Sequence, residues 1–146
     1  MCRCTGLRHP KSDACLLYAD RWSSGAAAKL PLGYAFSALR LGLQAAEALR
    51  DWSAEFCVGP IIAHHQVAYV IVQTASAGQP WPASVTFLGR GRWVTVPAPQ
   101  CTRRGARGLR WLRSPREAGP TRYTAAVVLL QVLHVYAGGD QQPQPP

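Results

Sequence analysis

Val67-Ala68-Tyr69-Val70-Ile71-Val72 is an unbroken apolar run, four of its six residues β-branched, held between Gln66 and Gln73. A run of that length with no polar alternation is the pattern of a strand covered on both faces. It therefore predicts the centre of a sheet. Downstream, Pro80-Trp81-Pro82 reads as a loop. Val85 to Leu88 and Arg92 to Val96 then flank Gly89-Arg90-Gly91, a short glycine connection suited to a hairpin. Pro97 and Pro99 end the second of these strands, and Leu109 to Leu112 is a further short strand candidate. Pro120-Thr121 offers a proline and a cap for a closing helix to about Ala137, with Gly138 placed to stop it. That helix is apolar nearly all round and reads as buried, with His134 packed inside.

Upstream, Leu41, Ala45, Leu49, Trp52 and Phe56 recur at three- and four-residue spacing, which predicts a helix over at least Leu43 to Ala54. Whether Tyr34 to Leu41 joins it is left open by Gly42. Cys2 to Ser24 has no periodicity and reads as an irregular lead. The expected fold is α+β: a mostly antiparallel sheet of four to five strands, near residues 67, 86, 94 and 110, packed by helices at 43–54 and 121–137. A chain of 146 residues fits one such domain, here 1–137, followed by a Gly, Gln and Pro tail at 138–146 expected to be disordered.

Hydrophobic residues make up 48% of the chain and charged residues 16%, against roughly 25% charged in an ordinary soluble domain, so there is enough apolar surface for a core. No uninterrupted apolar leader is visible, and Ala125 to Val135 is broken by Gln131 and His134 and falls short of the ~20 residues of a spanning helix. A cytoplasmic location with no membrane partner is expected. Arginine outnumbers lysine 14 to 2 and asparagine is absent, a bias that GC-rich coding imposes. Position is therefore more informative than composition. Eight arginines (Arg90, Arg92, Arg103, Arg104, Arg107, Arg110, Arg113 and Arg116) fall in one acid-free segment, which holds nearly all of the net charge of +9. Such a segment is either a footprint for a polyanion or a solvated loop. Trp93 and Trp111 lie among these arginines; aromatic platforms beside phosphate-binding cations are the usual basis of sequence-tolerant single-strand binding. Alternation along the strand places Trp111 in the core and leaves Trp93 undecided.

Several motifs occur in an order known elsewhere. They are Cys2-Arg3-Cys4 leading to His9-Pro10, Asp20-Arg21-Trp22, Phe36-Ser37-Ala38-Leu39-Arg40-Leu41 ahead of a helix, and Val58-Gly59-Pro60 ahead of the central strand. Gly89-Arg90-Gly91-Arg92-Trp93-Val94-Thr95-Val96-Pro97 and Arg110-Trp111-Leu112-Arg113-Ser114-Pro115 complete the series. From about Cys2 to Ala137 the chain resembles, in degenerate and shortened form, the N-terminal domain of actinobacterial bifunctional DNA primase/polymerases of the archaeo-eukaryotic primase superfamily. The resemblance implies two metal-binding carboxylates where this chain has Ser37 and Arg40, and neither can be the principal ligand of a magnesium ion. It implies a catalytic histidine where Val67 stands before Tyr69; His65, two residues back, is a poor replacement. The opening strand and helix of such domains would also be missing.

The expected function is thus a catalytically inactive primase/polymerase-like domain, needing no cofactor, that binds nucleic acid weakly as an accessory protein. Arg90, Arg92, Trp93, Arg103, Arg104, Arg107 and Arg110 are the candidate contacts. DNA or RNA and a replication or mobile-element protein are the expected partners. The alternatives are a fragment active only beside a partner chain that supplies the carboxylates, and an unselected GC-rich chain with no activity. Cys2, Cys4, His9 and Cys15 are zinc-type ligands at a spacing that fits no common site. His64 and His65, adjacent in sequence, read as a turn into the strand. No phosphate-loop, dinucleotide-binding or hydrolase-elbow motif is present.

Overall fold

A computed structural model of the chain describes residues 27–98, 101 and 108–140. In chain order the elements are β1 (Ala28–Pro31), β2 (Ser37–Gly42), α1 (Leu43–Asp51), β3 (Ile61–His64), β4 (Val67–Val72), β5 (Thr86–Leu88), β6 (Trp93–Val96), β7 (Leu109–Arg113), α2 (Pro115–Ala118) and α3 (Ala126–Asp140). Five strands form one sheet in the order β5-β2-β4-β3-β7, every neighbouring pair antiparallel. β1 and β6 form a separate antiparallel ribbon. The fold is α+β, as the alternation of patterns predicts, and β4 is the middle strand.

The unbroken apolar character of β4 follows from what covers it. Ala68, Val70 and Val72 face a core shared with Leu39, Leu41, Ile61, Ala63 and Leu112, against Ala46 and Leu49 of α1 and Leu129, Val132 and Leu133 of α3. Ile71, with Tyr69 beside it, faces the opposite core: Ala38, Ile62, Leu88 and Trp111 of the sheet against Leu30, Val94 and Val96 of the ribbon. Period two thus sends alternate side chains into two cores, and each fully buried Ile, Leu or Val contributes about 1.5 to 3 kcal/mol. The first N–H of α1, Leu43, is satisfied by the Gln66 carbonyl at 2.9 Å, so the β3–β4 turn closes the start of the helix in place of a capping side chain.

Several expectations need correction. The stretch Tyr34 to Leu41, left open in the sequence, does not join α1: Ser37 to Gly42 pair with β4, and Ala38 to Arg40 pair also with β5. β5 and β6 do not form a hairpin: the chain turns at Gly89 to Arg92, but β5 pairs with β2 and β6 crosses to β1. The strand near 94 therefore belongs to the ribbon and not to the main sheet. β3, ending at His64, supplies the strand position that the His64-His65 turn reading left empty. α3 starts at Ala126, several residues after Pro120-Thr121. The intervening loop is engaged in tertiary bonds, with Thr124 N–H donating to the Ile71 carbonyl at 3.0 Å and Gly59 N–H donating to Thr124 Oγ1 at 2.9 Å. Gly138 does not stop α3, which runs to Asp140, so the first residues of the expected tail are helical. His134 is exposed: over residues 126–135, α3 buries the stripe of Leu129, Val132 and Leu133 and leaves Val127 and Val135 at 70% and 59% exposure. No helix among the described residues is long and apolar enough to cross a membrane.

Candidate nucleic-acid interface

The ribbon has one dry face and one wet face. Its register sets Leu30 against Val94 and Ala28 against Val96, with Leu30, Val94 and Val96 buried on the sheet. By alternation, Pro31 and Trp93, and Lys29 and Thr95, look outward. Trp93 is accordingly 58% exposed, which settles the position that alternation alone left undecided. At the head of β6 the chain reverses through Gly89 to Arg92, where Arg92 N–H donates to the Gly89 carbonyl at 3.1 Å and Gly91 takes φ +91°. A positive φ at the third turn position is what glycine supplies without strain.

A second turn presses against the first. Gly33, at φ +89°, lies so close to Arg90 that a Cβ on it would stand 2.3 Å from the Arg90 nitrogen, so only glycine fits. Leu32 N–H donates to the Arg92 carbonyl and Gly33 N–H to the Phe36 carbonyl, both at 2.9 Å. The result is a fixed placement of Tyr34, 61% exposed, with the Arg90 guanidinium 4.9 Å from its ring centroid. Two exposed rings, Tyr34 and Trp93, thus occur with Arg90, Arg92 and Lys29 on one layer.

The acidic residues of the described chain belong to other elements. Glu47, Asp51, Glu55, Glu117 and Asp140 belong to the helices or the turn after α1, while the ribbon, its turns and all five sheet strands have none.

Of the arginines and the tryptophan singled out in the sequence, Arg90, Arg92 and Trp93 come together. Arg110 does not: it stands opposite Ala63 on β7, half-buried, on the helix side and at the far edge of the sheet from β5. Arg113 Nε donates to the Val58 carbonyl at 2.9 Å, a structural bond across the sheet end. Arg103, Arg104 and Arg107 lie outside the described residues, as do Cys2, Cys4, His9 and Cys15.

Ser37 is fully buried on the helix side, its hydroxyl 3.4 Å from Thr74 Oγ1, whereas Arg40 is exposed on the ribbon side. The two positions point to opposite faces of β2. His65 occupies the β3–β4 turn at φ +59°, its ring 4.7 Å from that of His64. Among the described residues no three His, Cys, Asp or Glu side chains gather as a metal site.

No family model, curated protein or solved structure matches the chain. What the ribbon can bind follows from its own chemistry. Flat rings stack on flat, electron-rich or electron-poor surfaces, and guanidinium groups pair with phosphate oxygens. Sequence reasoning did not single out Tyr34, leaving open whether Tyr34 to Leu41 joined the following helix. Its signal was the Pro31-Leu32-Gly33-Tyr34 stretch, a proline and glycine before an aromatic, which is turn chemistry.

Proposed function

We propose that the chain is a noncatalytic, primase/polymerase-like domain that binds single-stranded nucleic acid weakly and without strong sequence preference across the outer face of the β1–β6 ribbon. The observation that carries it is the exposure of Trp93 and Tyr34 beside Arg90 and Arg92 on a layer with no acidic residue. Stacking of bases on two rings, at about 1 to 3 kcal/mol each, with a few phosphate contacts, supports affinities in the micromolar to millimolar range at low salt. The noncatalytic part rests on Ser37 and Arg40, which offer no carboxylate and diverge to opposite faces.

Binding of a labelled oligothymidylate at low salt, followed by fluorescence anisotropy, tests the reading. Trp93→Ala is expected to weaken binding by about 5- to 100-fold while its melting temperature stays that of the parent. Equal affinity of parent and variant, or no binding by the parent at low salt, would contradict it.

A further inference from the structure

α3 meets the sheet with one side only. Leu129, Val132 and Leu133 are buried in the helix-side core, with Val128 half-buried against it. At 3.6 residues per turn the opposite side carries Val127, Gln131, His134 and Val135, all of them exposed. A helix face left to solvent is ordinarily charged. α3 has no charged residue before Asp140. The Gln131 amide has no partner among the described residues.

The margins of the same core are apolar as well. Leu43, Trp52 and Phe56 around α1, and Trp81, Val85 and Phe87 around β5, are half-exposed where they close it. α1 packs against α3, and the two helices are about 14 Å and 22 Å long and about 10 Å across. Together they offer on the order of 400 Å² on each copy, about 800 Å² for a pair, which is the scale of weak, concentration-dependent association.

Charge and pattern select a second copy as the occupant. Chains of net charge +9 repel one another, and the helix layer opposes that least, with Glu47 and Asp51 against Arg50 on α1 and an uncharged α3 up to Asp140. Val127, Gln131 and Val135 stand four residues apart on one ridge, the row that interdigitates in the commonest packing of helix pairs. That row reads the same in both directions about Gln131.

We propose that two copies of the chain associate through the outer faces of α3, the helices antiparallel about a two-fold axis at Gln131. Val127 of each copy meets Val135 of the other, so the contact is closed and self-complementary. The two Gln131 amides, each both donor and acceptor, bond to one another. Antiparallel helices also oppose their dipoles favourably. The ribbon covers the other face of the sheet, so this contact leaves it free and stands independently of the function proposed above.

Sedimentation equilibrium of the purified chain, from low micromolar to near-millimolar concentration, tests the contact. The parent is expected to pass from monomer to dimer. Val127→Glu and Val135→Arg are each expected to weaken self-association by about tenfold or more, because each sets a charge against a valine of the second copy. Both dilute variants are expected to melt like the parent, since the two positions are exposed. An equimolar mixture of the two variants is expected to dimerise again, and so is Val127→Glu/Val135→Arg. Within one helix these positions are more than two turns apart, so the new charges pair only across copies. A parent that stays monomeric throughout overturns the proposal. A dimer that both single variants leave unchanged overturns it too, by placing the contact elsewhere, as does failure of the charge pair to restore the dimer, which contradicts the antiparallel register.

Discussion

Arg92-Trp93-Val94 and Arg110-Trp111-Leu112 are nearly the same local sequence, an arginine, a tryptophan and an aliphatic residue on a short strand, yet the structure uses them in opposite ways. Trp93 is 58% exposed and Trp111 is 1% exposed. The difference is set by the layer and not by the strand. β6 belongs to a two-stranded ribbon with one face in solvent, and Trp93 falls on that face. β7 closes the edge of a sheet covered on both faces, and Trp111 falls between that sheet and the ribbon, its Nε1 donating to the Ala98 carbonyl at 3.0 Å. The arginines divide in the same way, with Arg92 exposed and Arg110 half-buried. Among the described residues, arginines that are close in sequence are therefore separated in space: Arg90 and Arg92 lie beside exposed rings, while Arg110 and Arg113 trim the sheet edge.

The contrast between the two tryptophans makes the largest prediction. Trp111→Ala is expected to destabilise the domain by about 3 to 5 kcal/mol, through the cavity and the Ala98 carbonyl left without its donor, which is a fall of roughly 10 °C or more in melting temperature. Trp93→Ala is expected to change stability by less than about 0.5 kcal/mol. Comparable melting shifts for the two variants would erase the distinction between a core and a surface tryptophan.

Gly33→Ala comes next. The added methyl group meets the Arg90 backbone in a conformation that L residues rarely adopt, so a destabilisation of about 2 to 4 kcal/mol is expected, together with weaker oligonucleotide binding because the Arg90 and Tyr34 pair is displaced. A variant as stable as the parent would show that the two turns are not pressed together.

The smallest effect belongs to the β7 side. His65 takes φ +59°, and Gly108, just before β7, packs against its ring. His65→Gly relieves a left-handed conformation that costs a side-chain-bearing residue about 1 to 2 kcal/mol, less the entropy a glycine loses on folding, for a net gain of about 0.5 to 1 kcal/mol. A higher denaturant midpoint with an unchanged slope is the expected reading; a lower midpoint would mean that the imidazole packing outweighs the strain.

Much of this architecture is legible in the chain because its patterns are decided locally. Val67 to Val72 admits no polar face, so its place at the centre of the sheet follows. Leu43 to Ala54 has helical spacing, and the observed α1 and the 3₁₀ turn at Trp52–Ala54 fill that span. Ser114-Pro115-Arg116-Glu117 is a capping box that pattern reading overlooks beside the arginine run, and α2 forms on it, with Glu117 N–H donating to Ser114 Oγ at 3.0 Å and Ser114 N–H to Glu117 Oε1 at 2.7 Å. What is not legible depends on distant partners. The glycine turn at Gly89 to Arg92 looks the same whether its flanking strands pair with each other or diverge to β2 and β1. Tyr34 comes to lie under Arg90 only because Gly33 lets a turn close on Arg90 from across the fold. Charge density marks a segment, but only the strand order separates Arg90 and Arg92 from Arg110.

The salt dependence of single-strand binding tests most directly whether the ribbon, rather than the summed charge, is the interface. Log affinity for a long oligothymidylate is measured against log salt for the parent, for Arg90→Ala/Arg92→Ala and for Arg110→Ala/Arg116→Ala, two variants of equal net charge. The ribbon variant is expected to flatten the slope by about 1.4, at ~0.7 for each phosphate of a single strand that is no longer neutralised by an arginine, while the edge variant keeps the parent slope. Equal flattening in both variants would contradict the account, since binding would then follow total charge and not the placement of Trp93, Tyr34 and their two arginines.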